Sequence, residues 1–482
     1  MKMNLITDPW IPIIFANGQS EMISLDALYR DAEKIHDLGV NPPQRIALMR
    51  MLLCITQAAL AGPEDEQELR TCRNRIRSES RHYLFSRAGI FDLYGHHPFL
   101  QIPGLSADRE ASLDKLFETS IGENPIFLGQ RAEEGRRFTD AQKALALLVF
   151  QNFSAGGKIG QSVWAGVRSS ESTFAAPCFN NLYLYIRGEN LLGTLWLNLL
   201  PKSQISTEWG TPVWEFMPKS PNDDKAFYNA YSSYLGRTTP LTRLVLLHGD
   251  GEDTSCIIGP VPKKYVYSNE AGSFRDPYVP IRYSAKGSHR YINVEPSKHV
   301  WRELASILAL HNKTESLPPC NLLNLEHAGN STVDIWCGGL AMGARAAKIY
   351  DMAEWTFSFP ASFLGKAALA KYAQGTALAS KGEATLKKAV QGNKYSYAKM
   401  LNSSSRGYFK TAALRYWSVL DSKYQMLVSI ASASEQNLDA WKRLLHHAMH
   451  SAFKQSCPHE TPRQIQAYAR AIKLLKLEDR EG

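Results

Sequence analysis

The first residues with the types and spacing for chemistry form the run Ser154-Ala155-Gly156-Gly157-Lys158-Ile159-Gly160. Glycines let a backbone approach phosphates or base edges because no Cβ intervenes, and an adjacent lysine supplies a cation. The run is not a P-loop, since Ile159 stands where a Ser or Thr must follow the lysine, and a helix precedes it where a P-loop needs a strand. A plain helix C-terminal turn is the competing reading. His446 and His450 have the i, i+4 spacing of two metal ligands, yet the glutamate of H-E-x-x-H is missing and no acidic ligand lies nearby. A metal-dependent hydrolase built on that pair is the enzymatic alternative. The main reading expects no metal and no cofactor. His96-His97-Pro98-Phe99 reads as a packed turn, and neither a Cys–His nor a G-x-S-x-G arrangement occurs. The chain therefore offers no convincing catalytic set, and a non-enzyme is expected.

Val333 to Phe357 holds two β-compatible arms around the small-residue centre Cys337-Gly338-Gly339-Leu340-Ala341-Met342-Gly343-Ala344-Arg345. This predicts a long hairpin whose tip, Met342 to Ala346, carries Arg345 outward. Such a tip is either a wedge for a groove or an ordinary exposed turn.

These residues must be positioned by a chain of 482 residues, enough for more than one structural unit, with 44% hydrophobic and 21% charged residues. That composition excludes a disordered tail and a small disulfide scaffold. Seven cysteines without a C-x-x-C pair read as reduced, mostly buried thiols. Asp8 and Pro9 interrupt the start before any apolar segment reaches signal-peptide length, and no apolar stretch reaches the roughly 20 residues of a membrane helix. A cytoplasmic protein without membrane partners is expected.

The formal charge of +9 is unevenly distributed. Residues 361–482 hold 19 lysines and arginines against eight acids, whereas the preceding 360 residues hold 36 against 38. A basic segment beside a nearly neutral body is the electrostatic footprint of a phosphate-facing surface. The alternative is a helical bundle that is merely solvated by lysine.

The texture changes at the same place. Pro43 to Leu60 predicts a helix ending at Gly62-Pro63, and Thr139-Asp140-Ala141-Gln142 a capping box opening a helix to Asn152. Leu182 to Ile186 and Leu191 to Leu199 read as a hairpin around Arg187-Gly188-Glu189-Asn190. After Pro360 the apolar spacing becomes helical: Trp417, Leu420, Tyr424 and Leu427; then Trp441, Leu444, Leu445, Ala448, Met449 and Ala452; then Ile465, Tyr468, Ile472 and Leu475. The expected fold is α+β, with a mixed α/β domain over 1–360 and a basic helical bundle over 361–482.

In this order the parts resemble the CasA family, the large subunits of type I-E CRISPR Cascade complexes. The resemblance rests on Asn4-Leu5-Ile6-Thr7-Asp8-Pro9-Trp10-Ile11-Pro12, on His97-Pro98-Phe99-Leu100-Gln101, on Phe274-Arg275-Asp276-Pro277-Tyr278-Val279-Pro280 and on the Gly338-Gly339-Leu340 hairpin with its Ala-Lys-Ile run. It covers essentially the whole chain and implies a C-terminal four-helix bundle.

The resemblance also implies a function: a subunit that inspects double-stranded DNA for the protospacer-adjacent motif, helps open the duplex for R-loop formation and presents DNA to a trans-acting helicase-nuclease. Its partners would be crRNA and the other Cascade subunits. A subunit that only bridges its neighbours is a further alternative. By position, Gly156, Gly157 and Lys158 match the family's glycine loop, Lys263 or Lys264 its lysine, and Met342, Gly343, Ala344 and Arg345 its wedge. The family's usual wedge carries glutamine, which this tip lacks. Phe127, Gly129 and Gln130 match the segment that docks on the crRNA end and neighbouring subunits. Lys387, Lys388, Lys394, Lys399, Arg406 and Lys410 are expected to hold the non-target strand, with Tyr395, Tyr397 and Tyr408 as candidates for stacking.

Overall fold

The computed structural model describes residues 3–117, 137–248, 255–265, 267, 275–283, 289–295, 298–308, 316–317, 319–327, 332–342, 349–402, 405–433 and 437–476. The chain divides into two compact units, Met1–Pro296 with Asn312–Ser358, and Ser297–His311 with Phe359–Gly482.

The first unit is built on the helix Pro42–Leu60. Asn41 and Gln44 cap it reciprocally, Pro42 occupies its first turn, and nearly every face is buried, as expected for a helix with no polar stripe. From this helix Arg50 carries charge into that core, where it donates to Asp276 at 2.6 Å and to the carbonyls of Arg237 and Thr238. The helix Asp140–Phe153 begins at the expected capping box of Thr139 and Gln142.

The strand Tyr183–Arg187 pairs antiparallel with Thr332–Met342, from Asp334 opposite Arg187 to Gly338 opposite Tyr183, and Ile349–Pro360 lies on the other side of that central strand. Both arms of the expected long hairpin are therefore strands of one sheet. Gly338 and Gly339 are required by contact: an added Cβ would lie 2.7 Å from the Ala353 carbonyl oxygen and 2.5 Å from that of Asn181.

The short hairpin expected around residues 187–190 is not formed. Leu191–Asn198 is a helix, with the Asn190 side chain accepting from the Gly193 amide. An apolar run this short fits strand and helix patterns alike, and the Asn cap decides it.

The second unit contains the helices Lys366–Gln391, Ser405–Asp421, Tyr424–Ser432, Asp439–Ser456 and Pro462–Ala471, with the short Tyr397–Met400 between the first two. The mixed α+β fold with a helical C-terminal part is thus as expected, although Trp417 to Leu427 spans two helices divided at Ser422–Lys423. Glycines let the first helix pack closely: a Cβ on Gly375 would meet Leu427 at 2.3 Å, and one on Gly382 the Tyr416 hydroxyl at 2.3 Å. Residues 298–308 join this unit through Trp301. Its ring packs with Trp417, Tyr424 and Trp441 while its indole donates to Asp421 at 2.7 Å. The sequence boundary at 360 leaves this strap with the first part of the chain.

Candidate nucleic-acid interface

The glycine run leaves its helix and becomes a strand edge. Ser154 ends the helix, and Gly157 and Lys158 pair with Thr173 and Ser172. The buried Arg243 guanidinium fastens both arms, donating to the carbonyls of Ala155 and Phe174, and burial pushes its pKa down to about 10. Gly156 is held to glycine by the neighbouring strand, since its Cβ would sit 3.0 Å from the Ala175 amide nitrogen. Gly157 differs: its φ of +144° is costly for any side chain, yet nothing lies within 4 Å of where a Cβ would be. Its backbone is therefore open to a ligand on that side. Lys158 is exposed, and no ion pair holds it among the described residues.

Glu171 joins this edge to the lysine candidates. Its carbonyl accepts from Ile159 at 3.2 Å, and its carboxylate accepts from the Lys263 amide at 2.8 Å. The glycine run and Lys263 are thereby brought into one neighbourhood, Glu171 and Lys263 meeting across 92 residues of chain. Lys263 is exposed and has no ion pair among the described residues. Lys264 is committed elsewhere. Its ammonium pairs with Asp224 and lies 5.0 Å from the Tyr265 ring centroid, while the Tyr265 hydroxyl also donates to Asp224. These contacts, Lys264 first, hold the Asp224 carboxyl below the usual carboxylate range.

Of the hairpin-tip residues, Met342 ends its strand, while its side chain and Gly343, Ala344 and Arg345 lie outside the described residues. Phe127, Gly129 and Gln130 also lie outside them.

In the second unit, Lys387 and Lys388 stand at the C-terminal end of their helix, Lys394 in the following loop, Lys399 on Tyr397–Met400 and Lys410 on Ser405–Asp421. All five are exposed and without ion pairs among the described residues. The Lys387 ammonium lies 5.8 Å from the Phe409 ring centroid, and that of Lys394 lies 5.1 Å from Tyr395. The Arg406 side chain is outside the described residues. Tyr395, 46% exposed, is free to stack. Tyr397 is not: it is fully buried with its hydroxyl on the Pro458 carbonyl, and Tyr408 meets its ring edge-on. Spacing cannot separate a tyrosine facing the bundle core from one facing out on so short a helix.

The His446 and His450 rings lie 4.3 Å apart, and among the described residues no group of three metal-ligating side chains occurs. The cysteines are all free, six buried and Cys320 partly so. Glu171, Arg243, Asp224 and Phe409 escaped the sequence reading, because each matters through a partner that no local pattern announces.

The family model for CRISPR-associated protein Cse1 matches residues 4–452. The chain belongs to the Cse1 family. A CasA/Cse1 protein of Thermus thermophilus is 27% identical over 523 residues, covering 100% of this chain and 96% of that relative. Among solved structures, Thermus thermophilus CasA (Cse1) aligns with a TM-score of 0.79 at 23% identity, covering 98% of each chain. Thermobifida fusca Cse1 aligns at 0.80 and 20% identity, covering 98% of this chain and 97% of that one. A chain of a CRISPR RNA-guided surveillance complex aligns at 0.78 and 18%, covering 98% and 99%. The resemblance to CasA of type I-E Cascade is borne out, and these structures share the fold.

The Cse1-like motifs turn out to hold the fold together. The Asn4 amide donates to Asp92 at 2.8 Å and to the Ala88 carbonyl, its oxygen accepts from Ile6, and the buried Trp10 indole donates to Leu5. Phe99 stacks on Phe91, while Gln101 bridges the Leu93 carbonyl and the Leu247 amide. Asp276 is the partner of Arg50. His96 and His97 remain exposed, outside that packing.

Proposed function

We propose that this chain is the large subunit of a type I-E Cascade surveillance complex. In this reading it recognises the protospacer-adjacent motif in double-stranded DNA, helps open the duplex for R-loop formation and presents the displaced strand to a separate helicase-nuclease. Strand cleavage belongs to that partner, so this subunit works by recognition. The observation that carries the reading is the Glu171 junction, whose bonds to the Ile159 and Lys263 amides link the edge bearing the open backbone of Gly157 and Lys158 to the segment of the unpaired Lys263. A backbone without Cβ admits a minor-groove edge, and a lysine donates to A N3, T O2 or a phosphate. Readout of this kind is degenerate, separating A·T from G·C more readily than A·T from T·A.

The hairpin tip, Met342 to Arg345, acts as the wedge, trading a few kcal/mol of unstacking for strand separation. Arg345 supplies the cation of that wedge. Phe127, Gly129 and Gln130 dock the crRNA end and neighbouring subunits. The unpaired lysines of the helical unit hold the non-target strand. Base pairing with the guide then reads the remaining sequence, as in other RNA-guided effectors. Action in the cytoplasm is part of this reading, and among the described residues no helix is long and apolar enough to cross a membrane.

The test is a gel-shift of the assembled complex over a randomised flanking-motif library, with the wild-type chain, without it, and with Lys263→Ala. Motif enrichment that disappears without the chain and weakens with Lys263→Ala is expected. Identical enrichment in all three arms overturns the reading in favour of a subunit that only bridges its neighbours.

A further inference from the structure

Beside Lys263 lies a shallow groove of about 440 Å³, lined by Asp224, Lys225, Tyr228, Lys264 and Tyr265. Its floor is rigid, because Tyr265 stacks on the fully buried Phe227 with ring centroids 4.4 Å apart and also meets Tyr231. Its rim carries Tyr228, 61% exposed and without an aromatic or hydrogen-bond partner among the described residues. Lys225 is exposed and likewise has no ion pair among them. The groove thus offers an open aromatic face and two ammonium groups, one neutralised by Asp224, leaving a net charge of one cation. A planar base joined to one phosphate is complementary to that set, whereas an apolar peptide would strand both lysines. Its place is as telling as its chemistry. Lys264, which lines the groove, adjoins Lys263 in the chain with α-carbons about 3.8 Å apart, so the groove neighbours the segment that carries Lys263. The Asp224–Lys264 pair is exposed, with relative side-chain accessibilities of 70% and 51%, and exposed pairs are weak enough for a phosphate to displace the carboxylate.

We propose that this groove binds one nucleotide of the DNA strand passing Lys263, with the base against Tyr228 and the phosphate on Lys225 and on Lys264 released from Asp224. The proposal rests on the motif-reading function above and adds a subsite to it. The assembled complex, carrying wild-type chain, Tyr228→Ala, Tyr228→Phe, Lys225→Ala or Lys263→Ala, is titrated with target duplexes bearing 2-aminopurine at successive positions of either flanking strand. Stacking is expected to quench one position; Tyr228→Ala abolishes that quench and weakens binding about tenfold, while Tyr228→Phe restores both. Lys225→Ala lowers the salt slope by about one. An unchanged Tm of the variants excludes misfolding.

The groove is rejected if Tyr228→Ala binds and quenches as wild type does at every position, or if quenching appears only when the label sits in the guide RNA. A Lys263→Ala complex that loses motif selection beside an unaffected Tyr228→Ala complex rejects the groove and keeps the motif reader. A Tyr228-dependent quench beside an unaffected Lys263→Ala complex keeps the groove and removes Lys263 from the reader. Two unaffected variants reject both.

Discussion

Two regions of this molecule are densely basic in sequence, and their cations have opposite fates. Residues 70–87 hold six arginines and one glutamate, a richer local excess than anywhere in the bundle. Yet Arg73 pairs with Glu189, Arg75 with Glu68, Arg77 with Glu33, Arg81 with Asp26 and Arg87 with Glu215. Arg70 alone has no ion pair among the described residues. Lys387, Lys388, Lys394, Lys399 and Lys410 have none either. The difference teaches that a charge excess counted along the chain becomes a field at the surface only where the fold withholds carboxylates. Guanidinium forks suit fixed carboxylate pairing, whereas ammonium groups on flexible stems stay hydrated and available to a mobile polyanion.

The largest effect is expected where an arginine pair is also buried. Arg50→Met leaves Asp276 uncompensated in the core and should lower the unfolding free energy by about 3–5 kcal/mol, measured by denaturant titration. A loss no greater than that at the exposed arginines would erase the distinction between pairs that hold the core and pairs that only neutralise surface charge. Next comes the lysine end. Replacing Lys387, Lys388, Lys394 and Lys399 by alanine should weaken single-strand binding and reduce the salt slope by about three, at roughly 0.7 per phosphate contact. An unchanged slope would break the comparison from the lysine side.

The converse is smaller. Arg73→Ala, Arg75→Ala and Arg77→Ala together should leave the DNA salt slope as it is, while costing about 0.2–1 kcal/mol of stability at each exposed pair. Loss of DNA binding in this triple variant would show that those arginines exchange their carboxylates for phosphates, and that pairing in the free chain does not predict availability.

Much of this architecture was legible in the sequence, and the boundary of legibility is physical. The capping boxes at Asn41 and Thr139 are local hydrogen-bond grammar, so both helices were readable from a few residues. The strands around Gly338 followed from composition in the same way. Leu191–Asn198 was misread because its apolar run fits two periodicities and only Asn190 breaks the tie. The glycine run was found, but its tie to Lys263 was not, since that tie is one carboxylate with partners on both sides and no pattern in the chain announces it. The strap containing Trp301 was invisible for the same reason: its indole finds Asp421 across 120 residues. Charge was legible as a sum and illegible as a field, because pairing is a tertiary property.

The smallest effect separates titration from fixed charge within the helical unit. His450 is partly buried on Asp439–Ser456, with His446 and His447 on the same helix and the Leu475 backbone against it. Burial, then the charge of His446, holds its imidazole below the usual histidine value, and the Leu475 contact opposes them only in part. The unfolded chain therefore binds this proton more readily than the folded one does, so stability is complete above the unfolded pKa of about 6.5 and falls as the pH drops through it toward the lower folded value. Thermal unfolding of the full chain between pH 7.5 and 5 should show that decline, and His450→Gln should flatten it without touching the salt slope of DNA binding. If the variant instead changes the salt slope, the histidine cluster belongs to the same phosphate-facing surface as the lysines. A decline that persists unchanged in the variant assigns the acid sensitivity to other groups of the chain.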